Sequence, residues 1–391
     1  MLSPLLITVW IANLVLASPG DNLDEFNDCR FQCEQLTCYY NPYYLLQDQF
    51  EEELKSAGEY KRYEPSWHFT SGKLSLPMKI LQWDCPANCD YQCQQIITKE
   101  RVAAGEEVLQ FHGKWPFWRI FGVQEVASML FSFLNLIPHY LGYHQISECI
   151  KKLPSEQMAF LRGPFRNVKF AAFVAIGAWL SSTIFHIRDV MFTEKLDYYF
   201  AGLTVLTGFY GIAFRYFKLY LPSRVIYKYF FLLTCVGAYA AHIYRLETDW
   251  SYTYNMQTNI FVGILQNIFW GLTCFELYTK YYDLEKAESN VIILDHLHYI
   301  RSNRIILGSF YAKSPKLYSL YPLLLCFIVI LGMSLEIFDF PPIFFDLVDA
   351  HSLWHLVTFF PAFFGWYDWM VWDISKNVWD DVAPVAEKKN Q

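Results

Sequence analysis

With 391 residues, 54% of them hydrophobic and 19% aromatic, a mean hydropathy of +0.15 and a formal net charge of −7, the chain is neither a basic nucleic-acid binder nor a soluble polar domain. Its apolar residues gather into seven long blocks behind a polar first quarter, and about 20 apolar residues suffice to span the roughly 30 Å of hydrocarbon in a bilayer. The expected fold class is therefore an all-α polytopic membrane protein, a seven-transmembrane helix bundle with an N-terminal disulfide-rich lumenal domain.

Residues 1–18, MLSPLLITVWIANLVLAS, form an apolar core ending in small residues, with Val15 and Ala17 placed for signal-peptidase cleavage. The n-region has no Lys or Arg, which leaves an uncleaved anchor as the alternative; either way the following segment enters the secretory lumen. From Asp21 to Gly113 lie Cys29, Cys33 and Cys38, then Cys85, Cys89 and Cys93. Six cysteines in an oxidising compartment predict three disulfides, with about fifteen connectivities open. Both triplets lack the paired C-x-x-C spacing of common structural zinc sites, so a metal cluster is the weaker reading. The charged stretch FEEELKSAGEYKRYEPSW between them reads as a solvated linker or helix.

Beyond the linker HGKWPF, the first membrane block runs from Arg119 to Tyr140 and carries Glu125, Asn135 and Pro138 within apolar sequence. Later blocks fall near Val168 to Ile187, Tyr198 to Phe214, Val225 to Tyr244, Asn255 to Leu277, Leu317 to Glu336 and His351 to Trp372. Glu125 is expected to face the interior, in a structural role rather than against substrate. A lumenal amino end puts the loops after blocks one, three and five in the cytosol. Those loops hold Lys151, Lys152, Arg162 and Arg166; Arg215, Lys218, Arg224 and Lys228; and Lys280, Lys286, Arg301, Arg304, Lys313 and Lys316. The opposite loops carry Arg188, Lys195 and Arg245 against a larger set of carboxylates, a positive-inside distribution that leaves the carboxyl end cytosolic. Cys149, Cys235, Cys274 and Cys326 read as free thiols, and Trp366, Tyr367, Trp369 and Trp372 as an interfacial aromatic belt.

Two short stretches carry chemistry. In SSTIFHIRDVMFTEKLD, Ser182 precedes His186 by four residues and Asp197 follows His186 by eleven; in HSLWH, His351 precedes His355 by four. Residues four apart on a helix share a face. A lone histidine in an apolar helix is more often packed and hydrogen-bonded than a ligand. Here one hydroxyl, one carboxylate and three imidazoles all fall at the lumenal ends of blocks two, three and seven, and polar groups are costly in a bilayer. Three His with an open position suit a catalytic zinc ion. Ser181 and Asp189 are the alternatives to Ser182 and Asp197.

The order S-x3-H, Asp, H-x3-H resembles the CREST superfamily of seven-helix membrane hydrolases, which includes alkaline ceramidases and adiponectin-receptor-like proteins. Within it, the cysteine-bearing domain followed by GKWPFWRIFGVQEVASMLFSFLN, together with FHIRD, DYYFAG and DAHSLWH, resembles the Per-like family of GPI-anchor-remodelling phospholipases, the post-GPI-attachment-to-proteins lipases. The likeness covers nearly the whole mature chain and departs mainly in the loop from Thr279 to Lys316. It implies phospholipase A2-type hydrolysis of the sn-2 acyl ester of GPI-anchored proteins, drawn from membrane lipid, to give lyso-GPI in the ER lumen. In that chemistry Zn2+ on His186, His351 and His355 lowers the pKa of a bound water toward about 7, Asp197 orients that water or takes its proton, and Ser182 hydrogen-bonds the oxyanion.

The domains expected are a signal peptide (1–18), a cysteine-rich lumenal domain (19–113), a seven-transmembrane hydrolase domain (114–373) and a cytosolic tail (374–391). Lys388 and Lys389 resemble a dilysine signal read by coat proteins that return membrane to the endoplasmic reticulum. The rival activities are a ceramidase-like lipid amidase on the same metal centre and, from another class, a non-catalytic seven-helix receptor or lipid-binding escort with zinc as a staple.

Overall fold

The structure, a computed structural model, describes residues 18–41, 64, 66–70, 73–287 and 314–383. Nearly all of the expected signal peptide, most of the charged stretch between the cysteine triplets, most of the loop from Thr279 to Lys316, and Lys388 and Lys389 lie outside the described residues. The described residues are mostly helical, without strands; only three isolated bridges occur, Phe111 with Lys114, Ile120 with Val123 and Ile343 with Val348. The chain divides into two compact units, Met1–Val126 with Phe340–Ala350, and Ala127–Asp339 with His351–Gln391.

The first unit is built on two helices, α1 (Asp24–Thr37) and α3 (Cys85–Ala103), with a short α2 (Leu76–Ile80) between them in sequence. Asp24 and Glu25 place negative charge at the N-terminal end of α1. Asp84 caps α3 by accepting the Ala87 N–H at 2.8 Å, and Pro86 sits in the first turn, where no intrahelical N–H is required of it. Four-residue spacing puts Cys29 and Cys33 on one face of α1, and Cys85, Cys89 and Cys93 on one face of α3. Disulfides join Cys29 to Cys93, Cys33 to Cys89 and Cys38 to Cys85 across Cα separations of 5.6–5.7 Å. This nested order is what an antiparallel helix pair imposes, and it leaves no thiolate among the six for a metal. Phe26, Ile97 and Phe111 complete the small core around the cystines.

Polar ties fix the rest of this unit. The Arg119 guanidinium stacks 4.2 Å from the Trp83 ring centroid and 4.0 Å from that of Tyr91, and it donates to Asn88 Oδ1 at 2.6 Å. Glu125 is buried and ion-paired with Lys114 of the GKWPF stretch. It therefore serves a structural pair just before the first long helix, not a position inside one.

The second unit contains α4 (Val126–Lys152), α5 (Ser155–Ile187), α6 (Met191–Tyr216), α7 (Val225–Thr248), α8 (Tyr252–Ala287), a single turn α9 (Pro315–Tyr318), α10 (Tyr321–Ile337), α11 (Ala350–Phe363) and α12 (Trp366–Trp372), which runs on as a π-helical turn, Asp373–Val378. Among the described residues, four helical stretches are long and apolar enough to cross a membrane: Gln157–Ile187, Pro222–Thr248, Tyr252–Lys286 and Pro315–Ile337. Helices α4, α6 and α11 cover the remaining apolar blocks but fall short in hydropathy or length, because α4 and α6 carry polar residues and α11 ends before Gly365, at φ +104°. α6 packs mainly between α5 and α8. α7 is the least covered span, with Ile226, Phe230 and Leu233 exposed, as a lipid-facing helix requires.

Three expectations are corrected. The first long helix begins at Val126 rather than at Arg119 and continues to Lys152. Arg162 and Arg166 lie within α5, so the link after α4 shrinks to Leu153 and Pro154, because Pro154 caps a helix that starts well before its apolar part. Tyr367, Trp369 and Trp372 are not an interfacial belt; they are buried in the main core with Trp270, Tyr318 and Tyr321, and Trp369 Nε1 donates to the Tyr318 carbonyl at 2.9 Å. Gly142 makes that packing feasible, since a Cβ there would meet the Tyr367 ring at 2.4 Å.

The turn after α12 is held by a buried bidentate pair, with Arg215 Nε 2.6 Å and Nη2 3.0 Å from the Asp373 carboxylate oxygens. Removing one member strands the other charge, so Asp373→Ala is expected to cost about 3–5 kcal/mol, readable as a lowered unfolding midpoint of the full chain in detergent.

In the first unit, His112 Nε2 lies 2.9 Å from Asp90 Oδ2, and Arg30 Nε lies 3.1 Å from the same oxygen. The hydrogen bond to Asp90 raises the His112 pKa against the effect of burial, with the Asp90 and Asp21 charges adding to it. Burial pushes Asp90 upward, but the His112 bond and charge, with Arg30, hold it below its usual range. The histidine contribution is complete below about pH 6.5 and is lost as pH rises through its raised folded value; the Asp90 contribution is present above about pH 3.9 and is lost as pH falls through its lowered one. Hydrogen exchange of α3 amides, corrected for intrinsic rates, is expected to be faster at pH 9 than at pH 6, and His112→Gln is expected to remove the difference.

Candidate active site

The second unit brings together the ends of three helices. The last turns of α5 carry Ser182 and His186, the first turns of α11 carry His351 and His355, and the last turn of α10 carries Glu336. α5 stops because Arg188 turns to extended backbone, at φ −151° and ψ 110°. His186 Nε2 lies 3.1 Å from His355 Nε2, which lies 2.9 Å from His351 Nε2. The ligand atoms of all three lie within 4.8 Å of one another.

These distances decide what the cluster can hold. Nitrogens sharing a tetrahedral zinc ion at bonds of about 2.05 Å stand roughly 3.3 Å apart. His351 Nδ1 is 2.6 Å from Glu336 Oε1, so this nitrogen is the donor to the carboxylate and the neutral ring turns its Nε2 lone pair toward the other two imidazoles. A carboxylate behind a histidine in this way fixes ring orientation and tautomer and raises ligand basicity. The donor set and its outer support therefore fit a divalent cation such as zinc. His186 and His355 are buried, whereas the His351 side chain is 37% exposed and marks the open side of the group.

Around the imidazoles, α4 supplies polar support. Ser132 Oγ and Ser182 Oγ are 3.0 Å apart and both buried. Asn135 Nδ2 donates to the His355 carbonyl at 2.6 Å and to the Phe131 carbonyl at 2.9 Å, tying the backbone of α11 to α4. Trp179 meets the His355 ring edge-on at 5.5 Å. Asp197 stands half-buried in the second turn of α6, and Asp189 lies in the three-residue link between α5 and α6. Ser181 is buried beside Ser182.

Comparison with known proteins adds a second kind of observation. The sequence model of the Per1-like family matches residues 75–374, a stretch that holds the second cysteine triplet and every residue of the histidine group. The chain belongs to the Per1-like family. Protein PER1 of Saccharomyces cerevisiae is 39% identical over 362 residues, 92% of this chain and 92% of that protein. The PER1 homolog of Schizosaccharomyces pombe is 36% identical over 74% of this chain and 75% of its own. A protein named GPI-specific phospholipase A2-like PGAP3, from Homo sapiens, is 27% identical over 90% of this chain and 89% of its own. No solved structure matches the chain.

Two features of this Per1-like chain escape motif reading. Glu336 is the only carboxylate in the apolar run LLLCFIVILGMSLEIF, and its isolation there was the available signal. Ser132 and Asn135, three residues apart on α4, were equally visible as polar residues in an apolar helix, but only the packed structure assigns them partners. Metal loading followed by chelator titration tests the arrangement. Glu336→Gln is expected to weaken retention of added Zn2+ about 10–100-fold, and His186→Ala to abolish it.

Proposed function

We propose that this chain is a zinc-dependent acyl-ester hydrolase of GPI anchors, which removes the sn-2 acyl chain from the phosphatidylinositol of a GPI-anchored protein and leaves lyso-GPI. The observation that carries the reading is the convergence of three imidazole Nε2 atoms one helical turn from the Ser182 hydroxyl. The substrate class is supported by relatives at 27% and 29% identity that are named GPI-specific phospholipase A2-like. The topology that goes with it has seven crossings, formed by α4, α5, α6, α7, α8, α10 and α11 with α12. The histidine end and the disulfide-bonded domain face the ER lumen; the tail is cytosolic, where Lys388 and Lys389 engage coat proteins. The proposed limits are 1–18 for the signal peptide, 19–113 for the lumenal domain, 114–373 for the hydrolase and 374–391 for the tail.

His186, His351 and His355 would hold the metal, which when bound would supply Lewis acidity and lower the pKa of a bound water toward about 7. Asp197 orients the attacking water, takes its proton and delivers it to the glycerol oxygen, as the new acyl–oxygen bond forms and the ester bond breaks. Ser182 donates its hydroxyl hydrogen to the developing oxyanion. Ser132 donates in turn to Ser182 Oγ, which leaves the Ser182 hydrogen for substrate. Glu336 holds the His351 ring in its ligating tautomer, and Asn135 holds the backbone at His355.

Purified chain given a GPI-anchored protein is expected to release free fatty acid and leave lyso-GPI. Asp197→Asn should slow this about 10²–10⁴-fold and Ser182→Ala about 10²–10³-fold. Sphingosine from ceramide with no lyso-GPI would assign a ceramidase-like amidase instead, and neither product from metal-loaded protein would assign a receptor or escort.

A further inference from the structure

Two turns of the first unit present bulky aromatic side chains in a way that neither sterics nor hydration favours. Phe121 stands at φ +52° in the turn closed by the Ile120–Val123 bridge, and Phe344 and Phe345 stand at φ +50° and +64° in the turn closed by the Ile343–Val348 bridge. The left-handed region suits Gly or Asn; a large side chain there is strained. The same three residues are 81%, 72% and 88% exposed. Strain and lost burial thus fall together on three phenylalanines, where a glycine or asparagine would relieve both. Tyr40, at φ +51° and 59% exposed, breaks the same rule but carries a hydroxyl for water; on the three phenylalanines no polar group offsets the exposure, and that points to a requirement from outside the fold.

The two turns are hydrogen-bonded to one another. The Trp118 N–H donates to the Asp346 carbonyl at 3.0 Å, joining them across more than two hundred residues of sequence. Trp83 Nε1 donates to the Gly122 carbonyl at 2.8 Å, and the Tyr91 hydroxyl accepts the Arg119 N–H at 3.1 Å, so the pair is tied to the disulfide-bonded helices. The phenylalanines therefore stand on turns hydrogen-bonded to the disulfide-bonded helix region.

Chain connectivity limits how far they stand from the bilayer. Phe344 follows Ile337, the last residue of a candidate span, by seven residues, which extend at most about 25 Å. No Lys or Arg occurs between Lys316 and Lys376, while the exposed Asp346 lies within the turn beside Phe345 and Asp339 and Asp349 flank it. An anionic surface would be repelled; an uncharged lipid surface that accepts aromatic side chains suits this segment. We infer that Phe121, Phe344 and Phe345 form an aromatic wedge that seats the disulfide-bonded unit in the adjacent leaflet of the membrane by apolar insertion. The inference uses the membrane spans and the first unit alone, and it stands whether or not the histidine group hydrolyses GPI anchors.

The test uses the full chain in phosphatidylcholine vesicles. Nitroxides are placed by Phe121→Cys and Phe345→Cys in a background whose free cysteines Cys149, Cys235, Cys274 and Cys326 are changed to Ala, with Ala104→Cys at the exposed end of α3 as the solvated reference. The ratio of collision with oxygen to collision with an aqueous nickel chelate is expected to be several-fold higher at both phenylalanine sites than at the reference, and unchanged by salt. A ratio equal to the reference would overturn the proposal. So would protection from both reagents, which would mean that protein, such as a second copy, covers the turns. The unsubstituted chain gives an independent readout if the cysteine background fails to fold: photolysis of a phosphatidylcholine carrying a carbene precursor near its headgroup should label peptides containing residues 119–123 and 341–347. Labelling confined to the spans, with these peptides clean, would overturn the proposal.

Discussion

Three imidazole nitrogens aimed at one point inside an apolar bundle impose the tightest condition on this structure. Lone pairs that face each other repel unless a cation or a proton lies between them, and a bundle interior offers little water to soften the conflict. The fold meets the condition by giving each ring a backing group. Glu336 accepts from His351, Asn135 holds the carbonyl of His355, and Trp179 and Phe185 lie against the rings of His355 and His186. Three helices contribute their terminal turns to this group, the last turns of α5 and α10 and the first turns of α11.

Another part of the bundle is densely packed and cross-linked by polar ties. Trp369, Trp372, Tyr318 and Tyr321 pack with Trp270 into a dense aromatic core, with the Arg215–Asp373 pair buried at the start of the π-helical turn. Lys280 and Tyr281 both donate to Asn377 Oδ1, at 3.0 and 2.9 Å, and Lys218 lies 2.9 Å from Asp381, so α8 and the turn after α6 are bound to the segment after α12. α4 joins this region to the site. Its polar face runs from Ser132 and Asn135 at the imidazoles to His139, whose Nδ1 is 2.7 Å from the Tyr367 hydroxyl, and Gly142 admits the Tyr367 ring.

Much of this was legible in the sequence. Helical spacing alone put Ser182 with His186 and His351 with His355, because the 3.6-residue period is local and independent of neighbours. The three disulfides were foreseeable from cysteine count and compartment. Their pairing was not, since fifteen connectivities satisfy the same count and only an antiparallel helix pair selects the nested one. The aromatic residues from Trp366 to Trp372 misled for a related reason: composition cannot tell an amphipathic belt from a buried core, and the break at Gly365, which turns α12 into the bundle, is a backbone event. Arg162 and Arg166 misled because charges were read as a loop where the helix had already begun.

The residue types, their helical phase and the apolar blocks were set by local chemistry and periodicity, and these suffice to put Ser182 on the face of His186 and His351 on that of His355, and to give the helical class. What required the tertiary structure was partnership. That Glu336 stands behind His351, that Ser132 meets Ser182 and that Glu125 pairs with Lys114 are relations between residues on different elements. A hydrogen bond between distant residues leaves no period in the sequence, because its distance is fixed by how helices pack and not by how far apart its partners lie along the backbone.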